Sequence, residues 1–311
     1  AHSAQKYFAL QLKNNVSNVS LNQKPVPVII SESANGISVF FQYLIIAAFF
    51  MSEFQQKCNI LTKERLAPDV FRLTLQAPQI AAHAQPGQFV MVRVGQGLDP
   101  LLRRPLSIHR IFAEGNISLL FKVLGKGTEM LARRCAGDQL DLVGPLGNGF
   151  TFPDDRQVCL IGGGMGIAPL LFLAEQLHSN GRKTENDHVL LGARTQDELT
   201  PLDDEFAALG YTVQRATDDG SIGYKGFIPD LLDFILPEMA QVYTCGPHLM
   251  MKSVVRKCQQ AEVNCQVSLE THMACGVGAC LGCAVNGKRG MVHVCKQGPV
   301  FKAEHLEWSL V

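Results

Sequence analysis

Four cysteines, Cys275, Cys280, Cys283 and Cys295, fall within 21 residues in the spacing C-x4-C-x2-C-x11-C. Thiolates gathered in so short a loop can hold Zn²⁺ or an iron–sulfur cluster, and either would fix the backbone around it. Zinc sites usually come as C-x2-C pairs, and only Cys280 and Cys283 make such a pair. A C-x4-C-x2-C run with a distant fourth cysteine is the plant-type [2Fe–2S] spacing. The spacing favours that cluster over zinc or a metal-free loop. Gly276, Gly278 and Gly282 lie among the thiols. Glycine admits positive φ, so the loop can wrap closely and point N–H groups at sulfur, which stabilises a reduced, more negative cluster.

The chain has ten cysteines, and the other six, Cys58, Cys135, Cys159, Cys245, Cys258 and Cys265, are scattered. A secreted disulfide scaffold is short and evenly laced with cysteine, so this pattern points to a reducing, cytoplasmic compartment. Lys+Arg and Asp+Glu both number 28, which leaves no basic field to hold nucleic acid. With 311 residues, 47% of them hydrophobic, the chain has room for two or three domains.

The first 50 residues stand apart. A polar, patternless stretch leads into the apolar run Ile37 to Phe50, which is shorter than the roughly 20 residues of a membrane-spanning helix. The expectation is a poorly ordered extension over 1–50, a natural start at Met51, and no stable membrane insertion.

From Phe54 to Val143 the pattern is β-like. Segments 88–94, 104–112, 117–124 and 138–144 are apolar and β-branched, and Gly and Pro punctuate them. Close strands with such turns predict a small antiparallel barrel over 51–152. At Val158 the rhythm changes to alternating strand and helix. Strands are expected at 158–164, 187–194 and 241–247, a strand and loop at 212–220, and helices at 168–181, 197–210, 227–236 and 248–261. That alternation predicts parallel βαβ units over 153–264, Rossmann-like in plan. Residues 265–311 hold the cysteine cluster and little helix.

Three weaker signals mark anion sites. "LIGGGMGIAPLLFL" is a strand, a glycine turn (Gly163, Gly164, Met165, Gly166) and a helix start, which suits a phosphate at a helix N-terminus, although such turns are also common for structural reasons. Arg104 and Ser107 of "RRPLSI" could grip a pyrophosphate, as could the turn at Gly127 and Thr128, though an arginine pair is more often a solvated surface. Cys245, in "YTCGP", is either packing or a strand's carboxyl end near a ligand. No hydrolytic constellation and no P-loop is present, and no catalytic acid or base is assigned.

The series "RRPLSI", "GPLGNGF", "GGGMGIAPL", "CGPHLMM" resembles the ferredoxin–NADP⁺ reductase superfamily. With the C-terminal "CGVGACLGCAV…HVCKQGPVF" and the loop "TDDGSIGYKG", the chain resembles the dihydroorotate dehydrogenase B electron-transfer subunit family over about Met51 to Val311. The resemblance implies an FAD-binding antiparallel β-barrel, an NAD-binding α/β domain and a small [2Fe–2S] domain. It places FAD on Arg104, Pro105, Leu106 and Ser107, on Phe121, Lys122 and Val123, and on Gly127 and Thr128. It places NAD on Gly163, Gly164, Met165 and Gly166, with Cys245, Gly246 and Pro247 near the nicotinamide. Cys275, Cys280, Cys283 and Cys295 match the cluster ligands; some paralogues replace one with aspartate, and this chain keeps all four. The implied partner is an FMN-containing catalytic subunit that oxidises dihydroorotate in pyrimidine biosynthesis, two copies of each forming a heterotetramer. The alternative is a subunit serving a ferredoxin- or sulfide-linked partner.

Overall fold

Six strands alternate apolar and polar residues and close on themselves. They are β1 (Phe54–Ala67), β2 (Val70–Gln76), β3 (Phe89–Arg93), β4 (Arg104–Phe112), β5 (Asn116–Lys122) and β6 (Gln139–Leu146). Every pairing is antiparallel, in the closed order β1-β2-β5-β4-β3-β6. Strand side chains alternate between faces. Cys58 and Ile60, Leu73 and Leu75, Val90 and Val92, Ile117 and Leu119, and Leu140 and Leu142 therefore all point inward and fill one core. Helix α1 (Pro78–His83) tucks Ile80 into it. Helix α2 (Lys126–Ala132) follows β5. The structure is a computed structural model that describes residues 53–152, 156–199 and 202–308. The expectations placed on residues 1–50, on Met51 and on the run Ile37 to Phe50 lie outside them.

The second layer is a sheet of seven strands. β7 (Val158–Gly163), β8 (His188–Ala193), β9 (Thr212–Thr217), β10 (Tyr224–Lys225), β11 (Gln241–Cys245) and β12 (Asn264–Ser268) are parallel. The hairpin β13 (Ala284–Gly287) and β14 (Gly290–His293) comes from the cysteine segment, as does β15 (Val300–Lys302), which adds an antiparallel edge to β12. The sheet order is β10-β9-β8-β7-β11-β12-β15. Helices α3 (Ala168–Ser179) and α6 (His248–Gln260) follow β7 and β11. α3 buries Leu170, Leu171 and Leu173, and α6 buries Val254 and Cys258.

Two helices are shorter than the sequence predicts. The 197–210 segment gives a 3₁₀ turn at Gln196–Glu198 and a helix, α4, only over Leu202–Ala207. Pro201 disfavours helical backbone in the residue before it. The 227–236 segment forms only α5 (Pro229–Leu232), and Pro229 and Pro237 bound what can be helical there. The last helix, α7 (Val294–Gln297), carries Cys295.

The layers are joined by packing and by charge. Phe89, Met91 and Leu146 of the barrel share a core with Met251 of α6 and Val267 of β12 and with Met273, Cys283, Val294 and Cys295 of the C-terminal segment. Elsewhere Glu205 of α4 pairs with Arg72 of β2 and lies 3.7 Å from Nε2 of His109 in β4, too long for a hydrogen bond. Nδ1 of the fully buried His109 donates to the Ala168 carbonyl at 2.8 Å. Residues 51–311 form one compact unit. The expected boundary at 264/265 falls inside β12.

Candidate functional site

The strand order reverses between β7 and β11, with β8 to β10 on one side and β12 and β15 on the other. Ligands of open α/β sheets bind outside the strands' carboxyl ends at such a point. A crevice of about 800 Å³ lies there, lined by Gly163 and Gly164 after β7, Arg194 after β8, Asp218 after β9 and Pro247 after β11. Gly166 does not line it. A Cβ at Gly166 would sit 2.2 Å from the Cys245 carbonyl oxygen, so this glycine lets the turn pack on the end of β11. Cys245 is fully buried and Gly246 links it to Pro247. Burial, then the neighbouring Glu270, pushes the Cys245 thiol well up. The 3₁₀ turn Gly164–Ile167 leads directly into α3, and the Ala168 N–H donates back to the Met165 carbonyl.

A second cavity, about 230 Å³, opens between barrel and sheet. Arg104, Pro105, Leu106 and Ser107 of β4 form one wall, and Phe121 and Lys122 of β5, with Thr128, form another. Met165, expected with the nucleotide glycines, lines this cavity instead. Val123 packs against the barrel core. Gly127 lies beneath Arg104: a Cβ there would come 2.3 Å from Nε of the guanidinium. The Thr128 hydroxyl accepts from the N–H groups of Leu124 and Gly125 at 2.9 and 3.3 Å, so it caps α2. The cavity is smaller than a whole flavin nucleotide, but its lining suits part of one. Its walls are largely apolar, Arg104 and Lys122 supply cations, and the buried Oγ1 of Thr271, in its lining, has no hydrogen-bond partner.

Lys122 and Leu124 line both the crevice and the cavity, so the two sites share a wall. Lys122 Nζ donates to Glu198 at 2.8 Å. Arg194 chiefly, and Lys122 with it, hold the Glu198 carboxyl down at about 2 against the opposing effect of burial.

The cavity's remaining wall is Ser268, Leu269, Glu270, Thr271 and Met273, which run straight into the cysteine loop at Cys275. There backbone N–H groups converge on sulfur. Val277, Ala279 and Cys280 donate to Cys275 Sγ at 3.3–3.4 Å, Gly278 to Cys295 Sγ at 3.1 Å, and Cys295 to Cys283 Sγ at 3.4 Å. Gly276 and Gly278 take φ of 76° and 80°, as that wrapping requires. Burial raises the Cys275 thiol, but the N–H groups outweigh it and bring it to about 6, which favours the thiolate a metal needs. Among the described residues no group of three or more His, Cys, Asp or Glu is drawn together as a metal-ion site. The thiols form two pairs: Cys283 and Cys295 sulfurs are 3.2 Å apart, and Cys280 contacts Cys275. Two pairs suit a two-iron cluster, each iron taking two protein ligands, better than one tetrahedral zinc ion.

Family models match the same three regions. Residues 57–150 match the oxidoreductase FAD-binding domain and 160–256 the oxidoreductase NAD-binding domain. Residues 270–307 match the iron–sulfur cluster binding domain of dihydroorotate dehydrogenase B. The dihydroorotate dehydrogenase B (NAD⁺) electron transfer subunit of Desulforamulus reducens is 42% identical over 259 residues, spanning 81% of this chain and 97% of that protein. The chain belongs to this family of electron transfer subunits. The Caldanaerobacter subterraneus member is 38% identical over 256 residues, spanning 81% of this chain and 98% of its own length. The family places the chain among oxidoreductase subunits carrying FAD-, NAD- and iron–sulfur-binding domains, and the fold expected from the sequence is the fold observed. A chain of the NADH-dependent reduced ferredoxin–NADP oxidoreductase, solved in work on flavin-based electron bifurcation, superposes with a TM-score of 0.73 at 34% identity, covering 81% of this chain and 90% of that one. The ferredoxin reductase of carbazole 1,9a-dioxygenase, at 24% identity and a TM-score of 0.59, shares the fold. No helix among the described residues is long and apolar enough to cross a membrane.

Sequence reasoning passed over the wall that joins cavity to cluster. Glu270, Thr271 and Met273 line it, and none was singled out. The signal was available: an acidic residue directly after the apolar strand "CQVSL" sits at a strand's carboxyl end, beside the switch point.

Proposed function

We propose that this chain relays electrons between NAD and an FMN-containing partner subunit that oxidises dihydroorotate, as part of pyrimidine biosynthesis in the cytoplasm, two copies of each subunit assembling together. One feature carries the reading: a single continuous wall links three sites. The segment 268–273 borders the cavity and continues into the thiol loop, and Lys122 and Leu124 divide the cavity from the nucleotide crevice. When bound, the nicotinamide exchanges hydride, the cluster exchanges single electrons, and the flavin between them exchanges both. The protein's part is to bind, orient and shield. Arg104 and the first turn of α2 hold the flavin diphosphate, and Ser107 and Phe121 bound its cavity. Gly163 and Gly164 admit the nicotinamide dinucleotide, with Pro247 beside it and Cys245, Gly246 and Gly166 packed behind. Cys275, Cys280, Cys283 and Cys295 hold the cluster. Val277 and Leu281, exposed on the thiol loop beside the exposed Cys280, offer the partner an apolar contact next to the cluster. On this reading the domains run 51–152, 153–264 and 265–311.

The test is composition followed by reconstitution. Purified protein carries roughly one FAD and two irons per chain. With the FMN subunit added, it supports NAD⁺-dependent dihydroorotate oxidation. Absence of that activity in a mixture loaded with flavin and iron refutes the pathway assignment. A second reading is favoured by the 34% identity to the ferredoxin–NADP oxidoreductase chain: a subunit serving a ferredoxin-linked partner. Turnover with reduced ferredoxin and none with dihydroorotate would select it.

A further inference from the structure

We propose that Glu270 is the acid that supplies, and in the reverse direction receives, the proton that must accompany electron exchange at the flavin cavity. The inference rests on assigning that cavity to the flavin. The argument begins with balance. Hydride transfer to NAD⁺ delivers two electrons and one proton, whereas an iron–sulfur cluster passes electrons alone. In the direction of NADH formation, two electrons arrive singly from the loop, and a proton has to reach the cavity by another route. Glu270 gives up that proton as its carboxyl becomes carboxylate, and water returns one to it. In the direction of NADH oxidation each transfer reverses.

The geometry selects Glu270 for this role. It stands on the segment between β12 and Cys275, on the wall shared by the cavity and the thiol loop. The other ionisable side chains lining the cavity are Arg104 from β4 and Lys122 from β5. A guanidinium holds its protons too tightly to serve as an acid. Lys122 is engaged with Glu198. Behind the cavity the Cys245 thiol of β11 lies within electrostatic reach of Glu270, but it is fully buried. Glu270 is exposed, and as a lining residue it presents its carboxyl surface to the open cavity. Desolvation raises its carboxyl above the ordinary range, and no hydrogen bond or cation opposes that shift. Its place on the cavity wall lets it exchange protons with water on one side and with the cavity on the other. Because the value is raised, Glu270 keeps its proton to higher pH than an ordinary carboxyl and loses it as pH rises further, so NADH formation weakens as pH rises.

The experiment uses the FAD- and iron-loaded protein and the Glu270→Gln variant, which keeps shape and hydrogen bonding but has no proton to give. Reduced-minus-oxidised infrared difference spectra are recorded in H₂O and D₂O. The wild type should show a deuterium-sensitive band in the carboxylic-acid C=O region, and Glu270→Gln should lack it. In the same preparations, with reduced methyl viologen as the electron donor, NADH formation should fall about 10²- to 10⁴-fold in Glu270→Gln and lose its decline with rising pH. Glu270→Asp should recover part of the rate. An acid band that persists in Glu270→Gln, or its absence from the wild type, overturns the proposal. Failure of the cavity assignment reads differently: Arg104→Ala would leave FAD affinity untouched while the infrared result stood on its own.

Discussion

Replacing Gly127 by alanine tests the flavin grip with a single methyl group. The added Cβ would lie 2.3 Å from Arg104 Nε, 2.6 Å from its Cζ and 2.7 Å from Nη2. Ordinary carbon contacts begin near 3.5 Å, so the guanidinium must retreat by roughly 1 Å. A charged hydrogen bond contributes about 1.5–3 kcal/mol. Its loss therefore weakens FAD binding by about 10- to 150-fold, at about 1.4 kcal/mol per factor of ten. The same change should not harm the fold. Gly127 is in the first turn of α2, where alanine is the better helix former by up to about 1 kcal/mol. Flavin-free Gly127→Ala should therefore melt no lower than wild type while its FAD dissociation constant, read from flavin fluorescence, rises. Adding Gly127→Ala to Arg104→Ala should then cost nothing further, because both changes remove one interaction. Wild-type FAD affinity in Gly127→Ala, or full additivity in the double variant, would refute the reasoning.

Other perturbations separate the remaining parts. Cys283→Ser should abolish or weaken the cluster, lowering bound iron, and leave NADH-to-dye electron transfer through FAD partly intact; equal loss of both would contradict separate sites. Gly166→Ala forces a methyl group onto the Cys245 backbone and should destabilise the protein by about 1–3 kcal/mol, seen as a lower melting temperature. Glu205 gives a pH effect of defined sign. Burial raises its carboxyl, but His109 and Arg72 outweigh burial and lower it from 4.5 to about 2. The stabilisation, up to about 3 kcal/mol, is thus complete above pH 4.5 and is lost as pH falls toward 2. The stability difference between wild type and Glu205→Gln should shrink across that window.

The legible parts of this molecule were those written in local pattern. The thiol spacing, the strand-then-glycine turn at 158–166 and the alternation of strand and helix each reflect constraints within a few residues. The edges were less legible. β1 carries three consecutive charged residues, Lys63, Glu64 and Arg65, which break its apolar–polar alternation. The helix read over 197–210 is confined to Leu202–Ala207, with a 3₁₀ turn at Gln196–Glu198. The joining of β15 to β12 depends on a contact between residues more than 30 apart in sequence, for which no local signal exists. Glu270 was marked only by its place just after an apolar strand, and the rest of its surroundings could not be read locally. Its setting is made by β4, β5 and the turn after β7, none of them its neighbours along the chain.

The antiparallel pairing of β12 with β15 bears on how fast charge can hop. The thiol segment leaves the large sheet after Ser268 and re-enters it at Val300, so both its ends are stitched to one rigid frame. Tunnelling falls off steeply with separation. In this molecule the gap is set by ladder hydrogen bonds and a shared hydrophobic core, not by the swing of a tethered module, so transfer need not wait for a domain to arrive.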